Sequence, residues 1–409
     1  MKLDDRFRWL IWLSLAEIGT MLVFNNYSAL LPILQKEWSL TNSEAGWIFS
    51  SYQIGYILAV VLLTSLTDYV KVKYIFVITS FWAGLAGILF SIWSEGFYSA
   101  MFLRTLMGIG FAGTYMPGLR MVSERFSSRE RGRAVGFYVG AFTFGAAISL
   151  FFTGILNSLF AWRWAFLITS LGPIAGGIIA LFKLGEEVRT AAEEELRIPL
   201  KEVLKNRPAL MMIGGYAAHM WEMFGMRGWI VAFLTACLLT AQYDLEKAVS
   251  LSAAIAGAVT LAGALSNALG GTLSDRFGRV HTIIVVMLGS SVLSLIIGWT
   301  RGFPIALVIV LSLVYGFMVT GESSVLSTGV TELARPGGLG RTMALQSLLG
   351  WGAASLSPIA FGYVLDLTNP ADALTRFGFV PNWGWAFAIL GLGGLMGPLI
   401  IWPLKRRRE

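Results

Sequence analysis

The chain has 409 residues, 56% of them hydrophobic and only 13% charged, and its mean hydropathy of +0.69 excludes an ordinary soluble domain. The net charge of +7 reads as loop lysines and arginines on a membrane protein rather than a nucleic-acid surface, since no soluble stretch carries a basic stripe with interleaved aromatics. A single cysteine, Cys237, excludes an internal disulfide and a cysteine metal cluster.

Lys2, Arg6 and Arg8 precede an apolar run that continues to about Leu34 with no small-residue cleavage site. A signal peptide has a shorter apolar core, roughly 7–15 residues, so this is a retained first span. Runs near the ~20 residues that cross a bilayer predict twelve spans: 9–34, 45–67, 74–93, 97–121, 134–158, 164–182, 208–236, 248–273, 282–300, 303–330, 342–365 and 383–403. With the N-terminus inside, 23 of the 31 Lys and Arg fall on inner segments and 5 on outer ones, which places both termini in the cytoplasm. The charged stretch 183–207 reads as a cytoplasmic linker between an N-terminal half, 1–182, and a C-terminal half, 208–409.

The halves repeat. Asp68 and Asp275 are 207 residues apart, while Glu124 and Glu332, and Arg133 and Arg341, are each 208 apart. Such spacing predicts two six-helix repeats related by an axis along the membrane normal. Between the eighth and ninth spans stands GTLSDRFGRV, Gly271 to Val280. It resembles the signature loop G-x-L-x-D-R-x-G-R of the major facilitator superfamily, with Gly271, Leu273, Asp275, Arg276, Gly278 and Arg279 on the pattern. Leu103, Arg104, Gly108 and Gly110 resemble that family's fourth-helix pattern, and ERGRAVG and WRWAF resemble the starts of its fifth and sixth helices.

The resemblance covers essentially the whole chain and implies an all-α integral membrane fold of twelve helices in two repeats. It also implies a conformational latch made by Asp68, Glu124, Arg133, Gly271, Asp275, Arg276, Gly278, Arg279, Glu332 and Arg341, with one glycine for close helix approach and another for an unusual backbone angle. The first-half loop, TSLTDYVKVK from Thr64, lacks both glycines and has lysines in place of the arginines, so its latch is expected to be weaker. The fifth helix lacks the Gly-Pro of many exporter branches. AGTYMPGLR and LLPILQKEW loosely resemble nitrate/nitrite- or cyanate-permease-type members, though the glycine-rich nitrate signature is missing.

Charges inside a bilayer cost about 2.5–3.5 kcal/mol each on insertion scales, so they mark candidate sites. The interior acids are Glu17, Glu222 and Glu322, and the interior bases Arg104, Arg227 and Arg120, with His219 nearby. All lie on spans 1, 4, 7 and 10, which line the central cavity in the superfamily. Glu17, Glu222, Glu322 and His219 are the candidates for proton coupling, because a poorly hydrated carboxylate can hold a proton near neutral pH; a permanent salt bridge between helices is the competing reading. Arg104 and Arg227, one from each half, are candidates to grip an anion through a planar fork. Asn25, Asn26, Tyr115 and Trp221 are further candidates for substrate contact. His219 and Glu222 alone make no metal site, and there is no phosphate-binding loop for ATP.

The expectation is a secondary transporter, not an enzyme, that moves a small organic anion across the cell inner membrane by alternating access. A proton gradient would drive it, with no cofactor. The partners expected are the solute and the lipid bilayer, with no nucleic acid, and the protein is expected to be a monomer. The alternatives are a proton-driven exporter of cationic or amphipathic drugs and, more remotely, a non-transporting membrane sensor.

Overall fold

Lipid offers no hydrogen bonds, so a crossing chain must satisfy its own N–H and C=O groups. In a computed structural model, which describes residues 5–185 and 199–407, every regular element is accordingly helical. In chain order these are α1 (Asp5–Met21), α2 (Asn26–Glu37), α3 (Asn42–Leu66), α4 (Val72–Trp93), α5 (Phe97–Ala112), α6 (Tyr115–Arg125), α7 (Ser128–Leu159) and α8 (Trp162–Lys183). Then come α9 (Leu200–Leu204), α10 (Arg207–Thr240), α11 (Leu245–Phe277), α12 (Arg279–Ile297), α13 (Ile305–Gly321), α14 (Ser323–Leu333), α15 (Leu339–Thr368), α16 (Ala373–Phe377) and α17 (Gly384–Ile401).

Among the described residues, eleven helical stretches are long and apolar enough to cross a membrane. The remaining predicted span, 97–121, is divided into α5 and α6, of 16 and 11 residues, each too short to cross alone. The first and tenth spans are also divided, as α1/α2 and α13/α14. Most of the linker stretch, residues 186–198, lies outside the described residues; its C-terminal end carries the short helix α9.

Two compact units result. The first takes Met1–Leu40, Trp47–Ala191 and Asp244–Gly257, and the second Thr41–Gly46, Ala192–Tyr243 and Ala258–Glu409. Two short stretches are thus grouped across the linker boundary. Within the first unit α4 packs on α8, and α1 on both α8 and α7. Within the second, α12 packs on α17, and α10 on both α17 and α15. The pairings correspond helix for helix, so the repeat read from acids and arginines is also a repeat of packing. Outward faces carry side chains such as Leu62, Val61, Trp93 and Leu399 exposed, as contact with lipid tails requires. α10 is the most enclosed of the spans.

Candidate transport site

The break between α1 and α2 organises the first unit. Residues 22–25 leave the helix, and the carbonyls freed there have no helical partner. Arg104, fully buried on α5, donates from Nη1 to the Val23 carbonyl (3.2 Å) and to Asn26 Oδ1 (3.2 Å), and from Nη2 to the Phe24 carbonyl (3.5 Å). Its guanidinium also lies 4.6 Å from the Tyr52 ring centre. Ser149 donates to the Leu22 carbonyl at 2.7 Å and accepts from the Asn25 N–H at 3.2 Å. Asn25 reaches the Ala146 carbonyl, and Asn26 donates to Thr169.

Three of the residues expected at the substrate, Arg104, Asn25 and Asn26, are thus buried; Arg104 bonds to the break, and the two asparagine side chains tie it to α7 and α8. An unpaired buried carbonyl costs about 1–3 kcal/mol, so a delocalised cation with five donors is well suited to two of them.

Glu17, one turn before the break, is fully buried. Its Oε2 accepts from Tyr138 on α7 (2.9 Å) and from Thr20 (3.3 Å), while Oε1 meets no donor among the described residues. No arginine or lysine forms an ion pair with it among those residues. Tyr115, at the start of α6, is half-buried and stacks toward Tyr138 and Phe142.

In the second unit, His219 Nδ1 lies 2.9 Å from Glu322 Oε1, and both side chains are buried. Glu322 occupies the junction of α13 and α14. Glu222, one turn beyond His219 on α10, accepts through Oε2 from Ser290 (3.2 Å) and Ser291 (3.3 Å) on α12. Trp221 is half-buried and donates its indole N–H to the Ile389 carbonyl at 3.3 Å, which fixes it against α17. Arg227 differs from all of these. Half-buried on α10, it lies 5.7 Å from the Phe224 ring and makes no hydrogen bond or ion pair among the described residues.

The inner loops hold two charge clusters. In the second unit Arg279 Nη1 meets Asp275 (2.8 Å) and Nη2 meets Glu332 (3.0 Å). Gly278 sits at φ +87° before α12, a backbone angle that favours glycine. Close helix approach belongs to Gly270 rather than Gly271: a Cβ at Gly270 would come 1.9 Å from the Gly321 carbonyl, whereas one at Gly271 meets nothing. Arg276 lies over the Phe277 ring, and Arg341 opens α15 exposed to solvent.

In the first unit Asp68 and Glu124 are joined by Arg120, through Nη1 (2.6 Å) and Nε (2.7 Å). Arg133 takes no part in that bridge and lies instead over the Phe7 ring at 5.8 Å. The first-half cluster is therefore complete despite its loop lacking arginines, because α6 supplies one four residues before Glu124. Sequence reasoning missed Arg120 in this role, along with Tyr138 and Ser149. Of the missed partners, Arg120 was visible as an interior charge, and Ser149 and the Ser290-Ser291 pair as polar residues inside apolar runs.

The comparisons agree with this architecture. The profile of the Major Facilitator Superfamily matches residues 13–358. The probable sulfoacetate transporter SauU of Cupriavidus necator is 25% identical, with 93% of this chain and 90% of that protein covered. The 4-hydroxybenzoate transporter PcaK of Pseudomonas aeruginosa is 24% identical, with 82% and 83% covered. The crystal structure of a bacterial homologue of the human lysosomal transporter Spinster, inward-facing and occupied, superposes with a TM-score of 0.77 at 14% identity over 99% of this chain and 98% of that one. A profile match over most of the chain, on a fold of two repeated helical units, establishes that this multi-pass membrane protein is a transporter and belongs to the Major Facilitator Superfamily.

Proposed function

We propose that this transporter carries a small organic anion across the cell inner membrane, both termini cytoplasmic, and that protons travel with it. The observation that carries the anion reading is Arg227. A cation within a span costs about 2.5–3.5 kcal/mol, and this one has no acid to offset it among the described residues, so an anionic solute is the fitting partner. Two relatives are named for sulfoacetate and 4-hydroxybenzoate, both organic anions. Arg104, engaged with backbone carbonyls, has a different task. The coupling reading rests on Glu17, buried with one carboxylate oxygen unpartnered and no cation bound to it among the described residues.

The test is uptake of 4-hydroxybenzoate and sulfoacetate by the protein reconstituted as a monomer in liposomes with an imposed pH gradient. Arg227→Gln should raise the half-saturating concentration about 10- to 100-fold, the worth of a charge-assisted hydrogen bond of about 1.5–3 kcal/mol. Glu17→Gln should abolish the response to the gradient. Outward flux of a cation, with Arg227→Gln unaffected, would favour the exporter reading instead.

A further inference from the structure

Arg227 is not alone on its side of the second unit. Phe224, three residues before it on α10, is buried, and its ring centre lies 5.1 Å from that of Trp351 on α15, the planes at 60°. The Arg227 guanidinium lies 5.7 Å from the same Phe224 ring. One buried ring thus adjoins both a half-buried cation and a half-buried indole.

Trp351 shares one face of α15 with Ser355, Pro358, Gly362 and Asp366, at helical spacings of four, three, four and four. The far end of that face is closed, within the second unit, by residues 42–46. Asp366 accepts from Asn42 and Ser43 there. A Cβ at Gly362 would come 2.2 Å from the Asn42 carbonyl, and one at Gly46 would come 2.4 Å from the Pro358 carbonyl. Leu356, Tyr363 and Leu367, all exposed, mark the opposite, lipid side of the helix. Trp351 is therefore turned away from lipid. Trp229 donates to the Pro358 carbonyl at 3.0 Å, which sets Arg227, two residues earlier, near the closed end. Trp351 stands about 10 Å from Pro358 along α15, away from that end.

A solute whose anionic group meets Arg227 thus has its body beside Trp351. The hydroxyls nearby on α15 are mostly engaged. Ser355 donates to the Gly352 carbonyl at 2.8 Å and Ser357 to the Trp221 carbonyl at 2.5 Å. Ser347, one turn before Trp351, keeps a half-buried hydroxyl without a partner among the described residues. A polyhydroxylated acid would find one such group here for several hydroxyls, whereas a flat ring needs only an aromatic face or edge.

We propose that the solute is an aryl carboxylate, its carboxylate on Arg227 and its ring against Trp351, so that Trp351 sets a preference for aromatic over aliphatic acids. The assignment deepens the anion reading of Arg227 given above and rests on it.

Benzoate and cyclohexanecarboxylate carry the same charge at nearly the same size, and only benzoate has an aromatic face. Isothermal titration of the purified full-length protein should show benzoate binding about 3- to 10-fold more tightly, the worth of one aromatic pair. Trp351→Leu should weaken benzoate more than cyclohexanecarboxylate and bring the two together. Trp351→Phe keeps a ring and should preserve the order, which guards against a leucine variant that fails to fold. Arg227→Gln should weaken both acids alike. Equal affinities in the parent, or a preference untouched by Trp351→Leu, would overturn this inference; with Arg227→Gln still weakening both acids, the anion reading would stand. Sulfoacetate bound in place of either ring acid would carry the same meaning. Acids bound as tightly by Arg227→Gln as by the parent would sink the anion reading, and this inference with it.

Discussion

Arg120 in the first unit and Arg279 in the second each bridge an aspartate, just past α3 or in the last turn of α11, to a glutamate at the end of a divided span, yet they stand on non-equivalent helices. The acids repeat at 207 and 208 residues; Arg279 corresponds to Val72, and Arg120 to Thr328. Both clusters are partly solvated, and pairs of that kind contribute about 0.2–1 kcal/mol each. Arg120→Gln and Arg279→Gln should therefore lower the thermal midpoint in detergent only slightly, with the difference from the parent shrinking at high salt. A large loss in either would mean that the arginine is needed for folding rather than for a reversible latch.

Arg104 and Arg227 should respond oppositely to lysine. Lysine at 104 keeps a charge and three donors, enough to serve the Val23 and Phe24 carbonyls, so Arg104→Lys should retain most of the stability and flux. Arg104→Leu leaves two carbonyls bare and should cost about 2–6 kcal/mol, at about 1–3 kcal/mol each. Arg227→Lys loses the planar fork and should weaken solute binding with little change in stability. Thermal unfolding and flux measured side by side separate the two roles.

Asp366 on α15 receives four hydrogen bonds at the first turn of α3. The Asn42 and Ser43 backbone N–H groups donate at 2.9 and 2.8 Å, and their side chains at 2.8 and 2.5 Å. A carboxylate placed at a helix N-terminus satisfies orphan donors and opposes the helix dipole. Asp366→Ala should destabilise the protein by about 1–3 kcal/mol, and Asp366→Asn by less. Unchanged unfolding in Asp366→Ala would show that water replaces the cap without loss.

Glu202 in α9 lies below the ordinary carboxylate value of 4.5, first because Lys205 hydrogen-bonds to it and then through Arg335. A lowered value in the folded state means stabilisation present above 4.5 and lost as pH falls through the folded value. Amide exchange at Leu200–Leu204, corrected for its intrinsic rate, should rise on acidification below about 4.5. Arg335→Gln should already show raised exchange at neutral pH. Exchange independent of both would remove the pair as an anchor of α9.

Composition and periodicity carried the helical class, the span count and the loop acids, because lipid forces long apolar runs and makes interior charges conspicuous. The breaks were less visible. Leu22–Asn25 contains neither Gly nor Pro, and its unwinding depends on Arg104 and Ser149, donors distant in sequence. For the same reason an arginine inside a span reads equally as a ligand contact or as a fastener of backbone, and only its partners decide. Arg227 and Arg104 are both arginines inside apolar spans, and their burial and partners separate them.

The unequal origin of the two bridging arginines makes the loops unequal as spare parts. Grafting GTLSDRFGRV in place of TSLTDYVKVK would bring a second arginine to acids that Arg120 already holds. The reverse graft would remove Arg279 and leave Thr328 where Arg120 stands in the other repeat, so Asp275 and Glu332 would have only the incoming lysines on either side of position 279 and no arginine fork to bridge them. A chimera of the first kind should be tolerated and one of the second kind should not.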